Sequence, residues 1–543
     1  MQIGFIPRAL AAVGLHGLAQ RALLSQVGYE SARATLAAAK KDRTNSDWPE
    51  MRLSPMDVWS TDAATIRARA NHMAQSDPYG IRVAEALVNG MIGDGIRTQV
   101  QVDWLPNSEG KKKVKKNTAI NNQIELIKSR WMKNADAETI GAAKQAKKHW
   151  FDIQRLAFRR VVVDGECIMM RQFTKDKRGQ LELRWKLIAA SRLCSNGAQT
   201  AEGNVVVEGV ELNPDGNVVA YHISPQLTSS YLSGIFPVRV PADEVIHVFR
   251  HDFPEQYRGF SWYTPIIPEL NHLASIKSYS LIARRVQASI ALVVSRPSQS
   301  GGASSLSLGG SIPGAGQASQ PKAGEIAKPR KIEPGLIHDV GEGNVHSHSP
   351  SPSGDLEPLT KLMLRAIGVS MGLSYEIVAA DYSNTSFAGG RLGKLETDAN
   401  RRIVNGWFGR TFEHLAHVHF TDWLVASGQL LEILKKNGVP DIHPDVDLYD
   451  ARFSRPRTEW GVNPLQEVQA SALAIKNGLE TLRDNVEGRG RDLDDHLEQI
   501  ARESGPLQEI LLGYADADKG TMPDYSNNDP NAEPGKEAGK GED

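Results

Sequence analysis

Residues 245–270 read VIHVFRHDFPEQYRGFSWYTPIIPEL. The opening Val245 to Arg250, rich in β-branched and aromatic side chains, has the character of a strand. The closing residues start a helix. Ser261 or Thr264 can cap it and Pro265 suits its first turn. Ile266, Leu270, Leu273, Leu281 and Val286 then recur at helical spacing, which predicts one long helix over 261–295. The stretch is therefore a junction: a mixed α+β region ends in its strand, and a mainly helical region begins at its helix.

Upstream, Ile66, Ala70, Met73, Ile81, Val83, Ala84, Leu87 and Val88 predict helix over 61–95. Residues 106–117, PNSEGKKKVKKN, read as a polar, basic insertion, a solvated loop with a nucleic-acid or targeting patch as the alternative. FDIQRLAFRRVVVDGE reads as a helix, and ECIMMRQF, LELRWKLIA, NVVVEGVEL and NVVAYHIS as strands, with Pro214-Asp215-Gly216 as a tight turn between the last two.

Downstream, residues 296–330 are rich in Gly, Ser and Pro and too poor in apolar side chains to fold alone. A helix is expected over 357–373, with Pro358 in its first turn. Another is expected from about 390 to 432, because Leu392, Leu395, Ala399, Ile403, Trp407, Phe412 and Leu415 hold helical spacing; thirty such residues span roughly 45 Å. A last helical unit runs from Pro464 to about Glu503, and the polar tail 514–543 reads as disordered. Long helices joined by loops, with one loose insertion, suggest an elongated protomer that packs beside copies of itself.

The chain has 543 residues, 40% hydrophobic and 23% charged, an ordinary globular composition able to bury a large core. Its formal net charge of −1 argues against tight DNA binding by wholesale phosphate neutralisation. Cys167 and Cys194 form no CxxC motif and no disulfide framework, which favours a reduced setting. No apolar run approaches the roughly 18 residues of a membrane span. The apolar N-terminus is interrupted by His16, Gln20 and Arg21 and reads as an exposed amphipathic arm, not a signal peptide.

No chemistry is legible. Gly389, Gly393 and Lys394 approach a phosphate-binding loop, but the spacing is one residue short, Ala388 stands where the first glycine belongs and Leu395 where the magnesium-binding hydroxyl belongs. His247, His251 and Asp252, and His346 with His348, lack ligand spacing with a helical or hairpin logic. No G-x-S-x-G elbow and no Cys/His arrangement stands out. Neither catalytic residues, nor a metal, nor a cofactor is expected.

Residues 245–270 resemble the central signature of lambda-type bacteriophage portal proteins, in which a strand ending in IHVF leads through an RG-S turn to a long helix; here these are Ile246 to Phe249 and Arg258-Gly259-Phe260-Ser261. LRAIGVSMGLSYEIVAADYSNTSFAGGR at 364–391 resembles a second signature, through Gly372 to Glu376, Asp381-Tyr382-Ser383 and Ser386. Residues 460–503, and upstream YGIRVAEALVNGMIGDGIR and RRVVVDGECIMM, resemble the family's C-terminal and N-terminal regions. The matches run in order from about 65 to 505.

The resemblance implies an α+β protomer with an N-terminal arm (1–60), wing (61–260), stem helix (261–290), clip (291–356), second stem helix (357–373), tunnel loop (374–392), spine helix and remainder of the wing (390–459), crown (460–513) and disordered tail (514–543). It implies a homo-oligomeric ring, in this family usually of twelve subunits, at the capsid vertex of the virion, assembled in the host bacterial cytoplasm. Double-stranded DNA would pass through it, without sequence preference, on packaging and ejection. The further partners implied are the terminase large subunit, which is the separate ATPase, the head–tail connector protein, and major capsid and scaffold proteins. Ser383, Asn384, Thr385 and Ser386 are then expected to face DNA, with Arg391 and Lys394 just behind; the competing reading makes Asn384 to Ser386 a plain helix cap. Spine and stem helices are expected to close the ring, with Trp407 or Phe408 as contacts if exposed. A non-portal head–tail adaptor or assembly scaffold is the alternative.

Overall fold

The computed structural model describes residues 55–289, 356–454 and 464–501, less short internal breaks, the longest at 138–147 and 226–235, and less Asn384. The expectations for residues 1–54, for the insertion over 291–355 and for the tail lie outside the described residues.

The helix expected over 61–95 is two helices, α1 (Pro55–Ser76) and α2 (Pro78–Met91). Asp77 separates them in an extended conformation, and its side chain accepts the Gly80 N–H. A residue before proline is driven out of the helical region, so the Asp-Pro pair writes the break. β1 (Thr98–Val100) follows, then α3 (Lys111–Met132). The lysine-rich segment expected to be a loop thus forms the start of α3. Lysine is a good helix former, and Ile120, Ile124 and Trp131 bury the helix's far end. α4 (Trp150–Asp164) starts at a capping box between His149 and Asp152 and stops at Gly165, whose φ is 93°.

β2 (Glu166–Lys175) lies at the centre of an antiparallel sheet between β3 (Leu181–Ile188) and β8 (Val245–Phe249). Strand alternation gives this sheet two apolar faces. Cys167, Met169, Leu183, Trp185, Ile246 and Val248 join the main core; Ile168, Ile188 and Val245 join a second core. The second core is covered by the antiparallel sheet β4 (Val205–Val207), β5 (Val210–Leu212), β6 (Val218–Ile223), β7 (Val238–Pro241). NVVVEGVEL, expected as one strand, is the β4–β5 hairpin. Glu208 and Gly209 both take positive φ, 50° and 83°, as a tight two-residue hairpin turn requires.

The long helix after the junction is α5 (Ile267–Ser289), six residues later than expected. Ser261 Oγ donates to the Val163 carbonyl at 2.6 Å and the Trp262 N–H to that of Val162 at 3.1 Å. These bonds tie residues 261–262 to the end of α4, so Pro268, not Pro265, takes the first turn. α6 (Leu356–Met371) and the short α7 (Tyr375–Ala379) follow. The next helix starts at Phe387 and runs to Ala426 as α8 (Phe387–Phe408), a π-helical turn at Gly409–Glu413, and α9 (His414–Ala426). Gly428, in the left-handed conformation, then breaks it before α10 (Gln429–Lys436). The π turn brings Glu413 inward, where it accepts from Gln154 Nε2 at 2.6 Å and Trp150 Nε1 at 3.2 Å. Around it Phe408, Phe412, Trp150, Trp131 and Phe420 stack into the main core. β9 (Ala451–Phe453) pairs antiparallel with β1, and α11 (Pro464–Lys476) and α12 (Leu482–Gly488) complete the described helices.

Candidate functional site

The opening signature builds a buried ionic junction. Glu166, fully buried at the start of β2, accepts from Arg258 Nε at 2.8 Å and Nη2 at 2.5 Å, from Arg67 Nη2 at 2.7 Å, and from the Gly259 N–H at 3.1 Å. His247 Nε2 lies 3.1 Å from the same carboxylate. Arg258 also donates to the carbonyls of Glu208 and Ala190. Trp59 stacks under both guanidiniums, 4.9 Å from Arg67 and 4.8 Å from Arg258, and donates to the Gly259 carbonyl. The pKa of Glu166 is held well below the ordinary carboxylate range: the neighbouring cations and hydrogen bonds outweigh the burial that opposes them. Burial, opposed by Glu166 and reinforced by the two arginines, lowers that of His247.

Each letter of the Arg-Gly-x-Ser turn then has a physical reason. Arg258 neutralises Glu166. A β-carbon on Gly259 would lie 2.1 Å from the Gly165 carbonyl oxygen, and one on Gly165 would strike Phe260 at 2.4 Å, so both must be glycine. Ser261 fixes the entry to α5. His247, weighed above as a metal ligand, is committed here, and among the described residues no group of three or more His, Cys, Asp and Glu could hold a metal ion.

The second signature forms a short loop, 380–386, between α7 and α8; the wider range expected for it, 374–392, also takes in α7 and the first turn and a half of α8. Asp381 organises the loop. Its Oδ1 accepts from the Ser383 N–H at 3.1 Å and the Ser383 hydroxyl at 2.5 Å, and its Oδ2 from the Tyr375 hydroxyl at 3.0 Å. Those bonds lower its pKa, the Ser383 hydroxyl contributing most. Ser386 is the N-cap of α8, its Oγ accepting the Gly389 N–H at 3.1 Å. The capping alternative is thus realised at Ser386, but the hydroxyl keeps its proton to donate outward. Ser383, Ser386, Arg391 and Lys394 are exposed and Thr385 half-buried; Asn384 lies outside the described residues.

α8 is seated on its own subunit by polar and small residues. Thr397 Oγ1 accepts the Ser374 N–H at 3.3 Å, Asn400 donates to the Gly372 carbonyl, and Gly393 faces Ser374 with no room to spare. Thr397 is 2% exposed and Asn405 6%, while Leu392, Leu395 and Ile403 are 68%, 57% and 71% exposed. On α6, Leu362 and Val369 are likewise exposed, and on α5 Tyr279, Leu281 and Ile282. The helical spacing of the α8 leucines carries no signal of which side they face. Phe408, expected as a contact if exposed, is fully buried, and Trp407 is half-buried against the core.

Residues 41–404 match the family model described as "Phage portal protein, lambda family". The "Probable portal protein" of Halomonas phage phiHAP-1 is 24% identical over 524 residues, covering 92% of this chain and 92% of the relative. "Portal protein B" of Escherichia phage lambda is 20% identical over 476 residues, covering 82% and 85%. Among solved structures, a chain of "Neck of native GTA particle computed with C12 symmetry" is similar at 13% identity and TM-score 0.35, over 79% of this chain and 92% of that one.

Proposed function

The chain belongs to the lambda family of phage portal proteins, and from that premise we propose that it forms a homo-oligomeric ring, of twelve subunits, at the capsid vertex, through which double-stranded DNA passes on packaging and ejection. The ring is not an enzyme. It docks a separate terminase and, later, a head–tail connector, and it acts in the virion after assembly with capsid and scaffold proteins in the host cytoplasm. The observation that carries the ring is the outward apolar stripe of α8, with its companions on α6. Heterologous contact between one copy's stripe and the next copy's surface closes a circle when the rotation divides evenly.

The loop beside that stripe is the proposed DNA-facing element. Phosphate oxygens need donors. Ser383 spends its hydroxyl proton on Asp381, so the donors are the Asn384 amide, the Thr385 and Ser386 hydroxyls and, behind them, Arg391 and Lys394. Asp381, held ionised by its hydrogen bonds, repels phosphate at the same place. Few donors, two cations and a fixed anion make a surface that touches a moving duplex without gripping it. Electron microscopy of concentrated protein tests the ring: end-on averages should show about twelve-fold symmetry about a central hole. Absence of rings even on co-expression with scaffold and capsid protein would refute the reading.

A further inference from the structure

The lysine-rich start of α3 has no part in the junction or the loop. Lys111, Lys112, Lys115 and Lys116 are exposed, whereas Lys113 pairs with Asp103 at 2.8 Å. α10 packs beside α3, and Asn437 Nδ2 donates to Gln123 Oε1 across the contact at 3.3 Å. Lys116 Nζ reaches the turn after α10, 3.7 Å from where a β-carbon on Gly438 would stand. That turn follows Lys435 and Lys436, both exposed. The packed pair α3–α10 thus carries six exposed lysines, with Lys116 bridging to the turn after α10, and none has an ion-pair partner among the described residues.

This arrangement costs the isolated subunit stability. Cations at a helix N-terminus oppose the dipole, and Lys111 with Lys115, and Lys112 with Lys116, are like charges one turn apart. Gly110 offers no side-chain cap to offset it. Among the described residues the one ion pair at this helix start is that of Lys113 with Asp103, which leaves the other four lysines uncompensated.

We propose that the α3–α10 lysine surface is a second contact for double-stranded DNA, separate from the 380–386 loop and independent of passage through a channel. The partner's chemistry follows from the residues. All six are lysines, flexible point charges without the planar fork that grips a carboxylate bidentately, and no exposed aromatic accompanies them to stack on bases. Such a surface fits a phosphate backbone, sequence-independently and reversibly. An acidic peptide would be better held by arginines.

A closed circular duplex cannot thread a closed ring, so it reads this surface and not a channel. Gel-shift titrations of assembled protein with relaxed closed-circular plasmid, from low to moderate salt, should show binding. The variant with Lys111, Lys112, Lys115 and Lys116 all changed to Gln should bind at least tenfold more weakly. Its slope of log affinity against log salt should shrink by about 0.9 for each contacting lysine removed. The Arg391→Gln/Lys394→Gln variant should bind circles like the wild type. The lysine variant's thermal midpoint should not fall, since like charges are removed from a helix start, and this separates lost binding from lost folding. Unchanged circle binding by the four-lysine variant, no circle binding by the wild type, or preference for polyglutamate over duplex would each overturn the proposal. Absence of rings even on co-expression with scaffold and capsid protein would refute the ring reading but leave these outcomes interpretable.

Discussion

Replacing Arg258 by Met tests the junction at its centre. Glu166 is wholly buried and Arg258 is 1% exposed, so solvent screening does little to weaken the pair. Removing one partner of such a pair strands a buried carboxylate and costs about 3–5 kcal/mol. Arg67 and His247 remain on Glu166, which places the expected loss near the lower end, about 3 kcal/mol. Arg258→Lys should fall between, because an ammonium restores charge but not the fork that also reaches the Glu208 and Ala190 carbonyls. Urea unfolding followed by far-UV circular dichroism reads the loss, and tryptophan fluorescence, to which Trp59 at the site contributes as one of ten tryptophans, reads it in parallel. The double variant Glu166→Gln/Arg258→Met leaves no stranded charge and should be less destabilised than Arg258→Met alone.

The pH dependence has a definite sign. Both Glu166 and His247 have folded-state pKa values below their ordinary ones of 4.5 and 6.5. A depressed group stabilises above its unfolded pKa and loses that contribution as pH falls through the folded value. Acidification should therefore erode stability first below about pH 6.5, through His247, and further below about 4.5, through Glu166. In Arg258→Met the second phase should shrink, because the main cause of the Glu166 depression is gone. A loss under about 1 kcal/mol for Arg258→Met, with an unchanged acid profile, would refute the reasoning.

Changing Leu392, Leu395 and Ile403 to Ser should leave subunit stability within about 0.5 kcal/mol per site, since these side chains are already exposed, while abolishing rings by size-exclusion chromatography with light scattering. Alanine at Ser383, Asn384, Thr385 and Ser386 should lower packaged DNA per particle with rings intact; Ser386→Ala alone should cost about 1 kcal/mol as a lost N-cap, read from thermal melts. Gly259→Ala should destabilise more than Arg258→Lys, because its β-carbon meets backbone that cannot yield, and soluble yield with circular dichroism reads this directly.

Much of the architecture was legible where a pattern has a single physical meaning. The strands at 166–173, 181–189, 217–224 and 245–250 were readable from composition and turn chemistry, and β2, β3, β6 and β8 lie there. The misreadings have local causes. The β4–β5 turn places a glutamate at φ 50°, a conformation that composition does not announce. The α3 start looked like a solvated loop because charge dominates six residues whose helical state is decided by burial further along. The start of α5 was set by hydrogen bonds to Val162 and Val163, about a hundred residues distant in sequence. The Glu166 cluster was invisible for the same reason: its members come from α1, β2, β8 and the loop after β8, and no spacing encodes their meeting.

The spine shows a deeper limit. Helical periodicity identifies an apolar stripe but not what it meets. In α9 the stripe meets its own core, where Phe420 and Leu424 are fully buried. In α8 the sides are exchanged: Gly393, Thr397 and Asn400 face the subunit while Leu392, Leu395 and Ile403 face out. One continuous helix thus has a half written for its own fold and a half that leaves large apolar side chains in water. The π turn at 409–413 stands where the two halves join. It inserts one residue into the helical register and so rotates one face relative to the other. The extra residue turns the exposed stripe of the N-terminal half away from the face on which the C-terminal half keeps Phe412 and Glu413 in the core.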